Sequence, residues 1–157
     1  MRLAGSVAAG GLAMSAALHA IWLVSPWPLA TWGEWSRAFG SPTFRVPAPI
    51  MITVTLLFAA AAYLVGARAT LLPQIGWAWV YRVGTWVVAG VLTARAVIGF
   101  AEMSHTLVDP ATPELFRGTI RLYLRVYLPI FLLLGVSSAC VAAGAGRATR
   151  ARGPRPG

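Results

Sequence analysis

VGTWVVAGVLTARAVIGF (residues 83–100), followed after a polar interval by RGTIRLYLRVY (117–127), decides how this chain folds. The first segment has one charge, Arg95, in eighteen otherwise uncharged and largely apolar positions. A run of that length and polarity is the signature of a helix that crosses a bilayer. The second segment opens another apolar run with Arg117, Arg121 and Arg125 at four-residue spacing, so the three share one helical face. Charges embedded in apolar helices are costly in hydrocarbon and call for partners or a function.

Composition extends this reading to the whole chain. Of 157 residues, 58% are hydrophobic and only 11% charged, which is too apolar for an ordinary soluble domain. The length accommodates four spans of about 20 residues each. The net charge is +9, and every base is an arginine dispersed among apolar runs. Nucleic-acid binding, which gathers bases on a polar face, is therefore excluded. Arginines that flank spans and snorkel to the interface explain the balance. The lone Cys140 rules out intrachain disulfides and Cys-x-x-Cys chemistry, and is expected to be a small packing residue.

The first span runs from about Leu3 to Val24. It continues too far, and without an A-x-A site, to be a cleaved signal peptide. Its small residues Gly5, Ala9 and Ala13, with Gly10 beside them, predict a close-packing stripe. Residues 25–48 hold four prolines together with Trp27, Trp32 and Trp35. They predict a headgroup-level aromatic belt with a short interfacial helix near 30–39, or a lid over a pocket between helices. Pro49 suits the first turn of the second span, which is uncharged until Arg68 and reads as scaffold. The third span ends near Phe100, leaving His105, Asp109, Pro110 and Glu114 in a loop. Pro129, inside the fourth span, predicts a bend and a freed carbonyl near Arg125.

The expected architecture is all-α: an integral membrane bundle of four transmembrane helices at about 3–25, 49–67, 77–100 and 119–144. These form one domain, 1–146, followed by a flexible basic tail at 147–157. Arg2, Arg68, Arg82, Arg147, Arg150, Arg152 and Arg155 lie on one side, against Arg37, Arg45, Arg117, Arg121 and Arg125 on the other. The positive-inside rule then puts both termini in the cytoplasm of a multi-pass protein of the cell membrane.

Three polar groups fall at one depth on three spans: His19, Arg95 about 8 Å below the outer boundary, and Arg125. With Glu102, seven residues past Arg95 on the same face, and with Arg121 and Tyr127, they define a candidate chamber open to the outside. Glu102 has two available partners, Arg95 and an arginine of the fourth helix. The like charges of the Arg117–Arg121–Arg125 stripe need an anion. Glu102, Asp109 and Glu114 supply one internally; a lipid phosphate or small amphipathic anion supplies one from outside. His19 is expected to hydrogen-bond a neighbouring helix. Haem ligation through His19 and His105 is disfavoured because nothing sets the two opposite each other. No catalytic constellation, zinc set or phosphate-binding glycine loop can be assembled.

The residues LHAIW (18–22) with His-x-x-Trp, the Arg-x-x-x-Gly-Phe of 95–100 and the aromatic-Leu-Pro of Tyr127–Pro129 resemble a bacterial family of four-helix membrane proteins, domain of unknown function 3995. The likeness extends over most of residues 10–143. It implies the same four-helix architecture and brings no activity with it. That family tends to carry an Asp shortly before the Tyr and Pro, where this chain has Tyr123 in its arginine-rich run. The expected function is non-enzymatic binding of a lipid headgroup or small amphipathic anion in the polar chamber. The alternative is a small transporter or an accessory subunit of a membrane complex. An acidic residue in the first span would favour a dimeric exporter, and this chain has His19 there.

Overall fold

The structure, a computed structural model, describes residues 2–34, 46–110 and 114–151, with the side chains of 114–116 and 145–151 left aside. Helix α1 spans Arg2–Ile21, α2 Ala48–Arg68 and α3 Ala78–Val108. The fourth rod is built from α4 (Glu114–Leu122), a π-helical turn (Tyr123–Tyr127) and α5 (Leu128–Ala151). Among the described residues there is no strand, and four helical segments are long and apolar enough to cross a membrane. The expected all-helical fold, with four helices long and apolar enough to cross a membrane, therefore holds among the described residues.

The rods run antiparallel in sequence order. Near the terminal end Gly5 of α1 meets Ala69, which follows α2, while near the distal end His19 meets Phe58. Gly84 of α3 faces Leu64 of α2, and Gly135 of α5 faces Thr93 of α3. Helix α1 packs on α2 and α5, and α3 packs on α2 and α5. Helices α2 and α5 also touch across the middle, whereas α1 and α3 do not meet. The four rods thus form a ring with α1 and α3 at opposite corners.

The core is made of small and medium side chains. Ala8 and Leu12 of α1, Ala62 and Val65 of α2, Leu92 of α3, and Leu134 and Val141 of α5 form its buried cluster, with Phe58, Val88 and Phe131 packed around it. Small residues let backbones approach where water supplies no driving force between spans. A methyl group on Gly5 would collide with Ala69 Cβ, so α1 and the end of α2 touch only because residue 5 has no side chain. Large apolar residues such as Leu56, Leu57, Trp86, Val91 and Leu133 face outward, as a lipid-solvated bundle requires.

Local chemistry sets the boundaries. Helix α2 begins just before Pro49, whose missing N–H belongs to the unsatisfied first turn. It closes with two reverse hydrogen bonds, Leu71 N–H to the Gly66 carbonyl at 2.9 Å and Thr70 N–H to the Ala67 carbonyl at 3.1 Å. Thr70 occupies the left-handed position of this Schellman turn, at φ 61°. The turn to α3 is bolted by tyrosines. Tyr63 Oη donates to the Pro73 carbonyl at 3.0 Å, Tyr81 Oη donates to the Ile75 carbonyl at 2.7 Å, and Ile75 N–H donates back to Tyr81 Oη at 2.8 Å.

Several expectations need correction. Helix α3 continues eight residues beyond Phe100, to Val108, so His105 is helical rather than in a loop, and Glu102 lies on the same helix as Arg95. Nothing in AEMSHTLV breaks a helix, and the stop comes only at Asp109, held extended (ψ 118°) by the following Pro110. The buried stripe of α1 is Gly5, Ala8, Leu12 and Ala16, not Gly5, Ala9 and Ala13. Ala13 and Gly10 are exposed. Cys140 is exposed on α5 rather than packed inside. Helix α5 runs past Gly144 and Gly146 to Ala151, so the first part of the expected tail is helical. Of the interfacial helix expected near 30–39, residues 32–34 are helical and 35–39 lie outside the described residues, as do Trp35, Arg37 and Arg45.

Candidate functional site

The fourth rod widens where its arginines lie. Pro129 cannot donate to the Arg125 carbonyl, and its ring would press on that oxygen in an α-helical turn. The chain answers with a π turn, in which Leu128 N–H reaches back five residues to the Tyr123 carbonyl. The bend expected from Pro129 thus takes the form of one wide turn spanning Tyr123–Tyr127.

This turn aims Tyr123 at α3. Its hydroxyl presses against Gly99, and a Cβ at position 99 would overlap it. The Arg95 guanidinium lies over the same ring, with Cζ 5.4 Å from the centroid. Tyr127 stacks on Tyr123 at 6.0 Å with an interplanar angle of 26°. A cation against an aromatic face gains about 0.5–2 kcal/mol, most where water is excluded. Arg95 itself is exposed at the surface of the bundle, so its outer face is open to a ligand. The Tyr123 hydroxyl is buried without a hydrogen-bond partner.

The remaining expected site residues lie elsewhere. His19 is on α1, diagonally across the ring from α3. Its Nδ1 donates to the Ser15 carbonyl of its own helix at 2.7 Å, rather than to a neighbouring helix. Its ring packs at 5.1 Å against both Trp22 and Phe58. Glu102 is exposed two turns beyond Arg95, and the Arg95 contact is with the Tyr123 ring instead. Arg121 and Arg125 flank Tyr123 by two residues, so they project from the opposite face of the rod, where both are exposed. The sequence-derived set therefore separates into Arg95 and Tyr127, both on Tyr123, an outward basic rim of Arg121 and Arg125, an exposed Glu102 and a distant His19.

Gly99 and Tyr123 complete the cluster without having been singled out as site residues. Their signal was present: a glycine one turn after Arg95, and tyrosines four apart just before a proline.

Against this geometry, the family model described as "Protein of unknown function (DUF3995)" matches residues 12–138. The chain belongs to this family. The match runs from the middle of α1 to Ser138 of α5 and includes His19, Arg95, Gly99, the π turn and Pro129. The DUF3995 resemblance drawn from LHAIW, Arg-x-x-x-Gly-Phe and Tyr127–Pro129 is thereby established over most of the chain. No curated protein and no solved structure matches it.

Proposed function

We propose that this DUF3995 protein is a non-enzymatic, multi-pass protein of the cell membrane, with both termini in the cytoplasm. Its outward end holds an anionic group, a lipid headgroup or small amphipathic anion, on Arg95. The observation that carries this is the exposed Arg95 guanidinium seated over the Tyr123 ring, with Gly99 clearing the space for that ring. The aromatic face fixes the orientation of the cation without neutralising it, because a quadrupole leaves the formal charge in place. An arginine so held presents its planar N–H fork to a phosphate or carboxylate. Arg121 and Arg125, exposed nearby in sequence on the fourth rod, add a basic rim that attracts anions to the same membrane face. Glu102, two turns farther along α3, would turn away ligands bearing more than one charge near it. His19 belongs to the α1–α2 pair and supports the opposite corner of the bundle.

Native mass spectrometry of the protein released from mild detergent tests the reading. The wild type is expected to carry a phospholipid or anionic adduct that Arg95→Leu removes, with helical content and melting temperature retained. An adduct kept at full occupancy in Arg95→Leu overturns it.

A further inference from the structure

Arg68 and Arg82 flank the tyrosine-bolted turn at the terminal end of the bundle. Arg68 is the last residue of α2, and its Nε is buried without a hydrogen-bond partner. Arg82 lies one turn into α3, exposed and two residues before Gly84, which packs on Leu64 one turn before Arg68, so the two arginines leave adjoining helices at about the same level. Two guanidiniums in that relation repel each other, and a buried guanidinium N–H without an acceptor costs stability. An oxyanion between the two guanidinium groups relieves their repulsion. Among the described residues no carboxylate side chain provides it. Glu102 is twenty residues farther along α3 than Arg82, on the order of 30 Å away, and Asp109 is farther still. Glu34 follows α1 at the distal end.

The setting fits a lipid phosphate. Trp77 and Trp79 open α3 stacked at 6.5 Å and strongly exposed, and Ile75 is 75% exposed beside them. Exposed indole pairs at the start of a span mark the headgroup level. The turn that carries the two arginines is held rigid by Tyr63, Tyr81 and Gln74, whose Nε2 donates to the Ala67 carbonyl at 3.0 Å. The backbone on either side of the pair is therefore fixed before any ligand arrives. We infer that Arg68 and Arg82 clamp the phosphate of an anionic phospholipid at the α2–α3 turn, on the membrane face opposite to Arg95. This site is independent of the Arg95 reading, and either can fail without the other.

Native mass spectrometry of the full chain, delipidated and titrated with phosphatidylglycerol, phosphatidylcholine or inorganic phosphate, separates the cases. The wild type is expected to bind phosphatidylglycerol at two sites. R95L should lose one, and R68Q/R82Q the other. Each juxtamembrane arginine contributes on the order of fivefold in affinity for anionic lipid. The R68Q/R82Q chain should therefore bind at this site about 25-fold more weakly, with R68K/R82K largely restoring it. If R68Q/R82Q fails to fold, the single R82Q change at an exposed position should still cost about fivefold. Undiminished phosphatidylglycerol binding by these variants overturns the inference. So does displacement of the lipid by equimolar inorganic phosphate, or equal binding of phosphatidylcholine that ignores both substitutions.

Discussion

Thr70 shows how much one residue's backbone can cost. A β-branched side chain at φ 61° is strained by roughly 1–2 kcal/mol, and glycine removes that strain at some expense in unfolded-state entropy. Thr70→Gly is therefore expected to stabilise the protein by about 0.5–1 kcal/mol, seen as a melting temperature higher by roughly 2 °C. An unchanged or lower melting temperature would mean that the threonine side chain offsets its own strain. At this scale the sequence was partly legible. Arg95 stood out because a charge inside an apolar run has few benign explanations. Its partner did not, because a seven-residue spacing pointed along the helix to Glu102, while the decisive contact came from another rod through Tyr123. Gly99 was invisible for the same reason: the collision it prevents involves a side chain twenty-four residues away in sequence.

Elements were read more securely in type than in phase. The four helical rods follow from the lengths of the apolar runs; α1, α2 and α3 each start within one residue of the expected place, while the fourth rod starts at Glu114, five residues before the expected 119. Which face of α1 packs inward was not readable, since every face is apolar and small residues occur on several. The buried series Gly5, Ala8, Leu12 and Ala16 is decided by partners, Ala69 and Leu134 among them. Pro129 announced a distortion, but not that the chain would absorb it as a π turn. Replacing Pro129 by Ala restores the N–H that an α-helical turn needs, and the five-residue turn should tighten. Removing one residue from the wide turn rotates α4 by about 100° relative to α5. Single cysteines placed along 119–123 in a Cys140→Ala background should then shift their pattern of maleimide labelling by one position. A pattern indifferent to Pro129→Ala would assign the wide turn to the packing of Tyr123 on Gly99.

For the whole molecule, the proposed orientation, with both termini in the cytoplasm, rests on the arginine asymmetry. Reporters fused at either terminus should be active in the cytoplasm, and one inserted at 111–113 should be active only outside; the opposite result would exchange the faces assigned to the two arginine sites. The corner arrangement of the rods was beyond the sequence, because apolar periodicity says that helices pack without saying which are neighbours. That arrangement also has a consequence for the order of assembly. Once Ala69 has been synthesised, α1 and α2 already hold their mutual surface, from Gly5 to Phe58, and this pair can close in the bilayer before the rest of the chain exists. Helix α3 finds only its α2 contact at birth, at Leu64 and Tyr63, because its other partner, α5, has not yet been made. Its charge at Arg95 must leave the insertion machinery bare, at a cost of about 2.5–3.5 kcal/mol if it lies near the bilayer centre. It stays bare until Tyr123 emerges to cover it. The first half of the protein thus serves as a landing for a helix that is least at home in lipid when it first arrives.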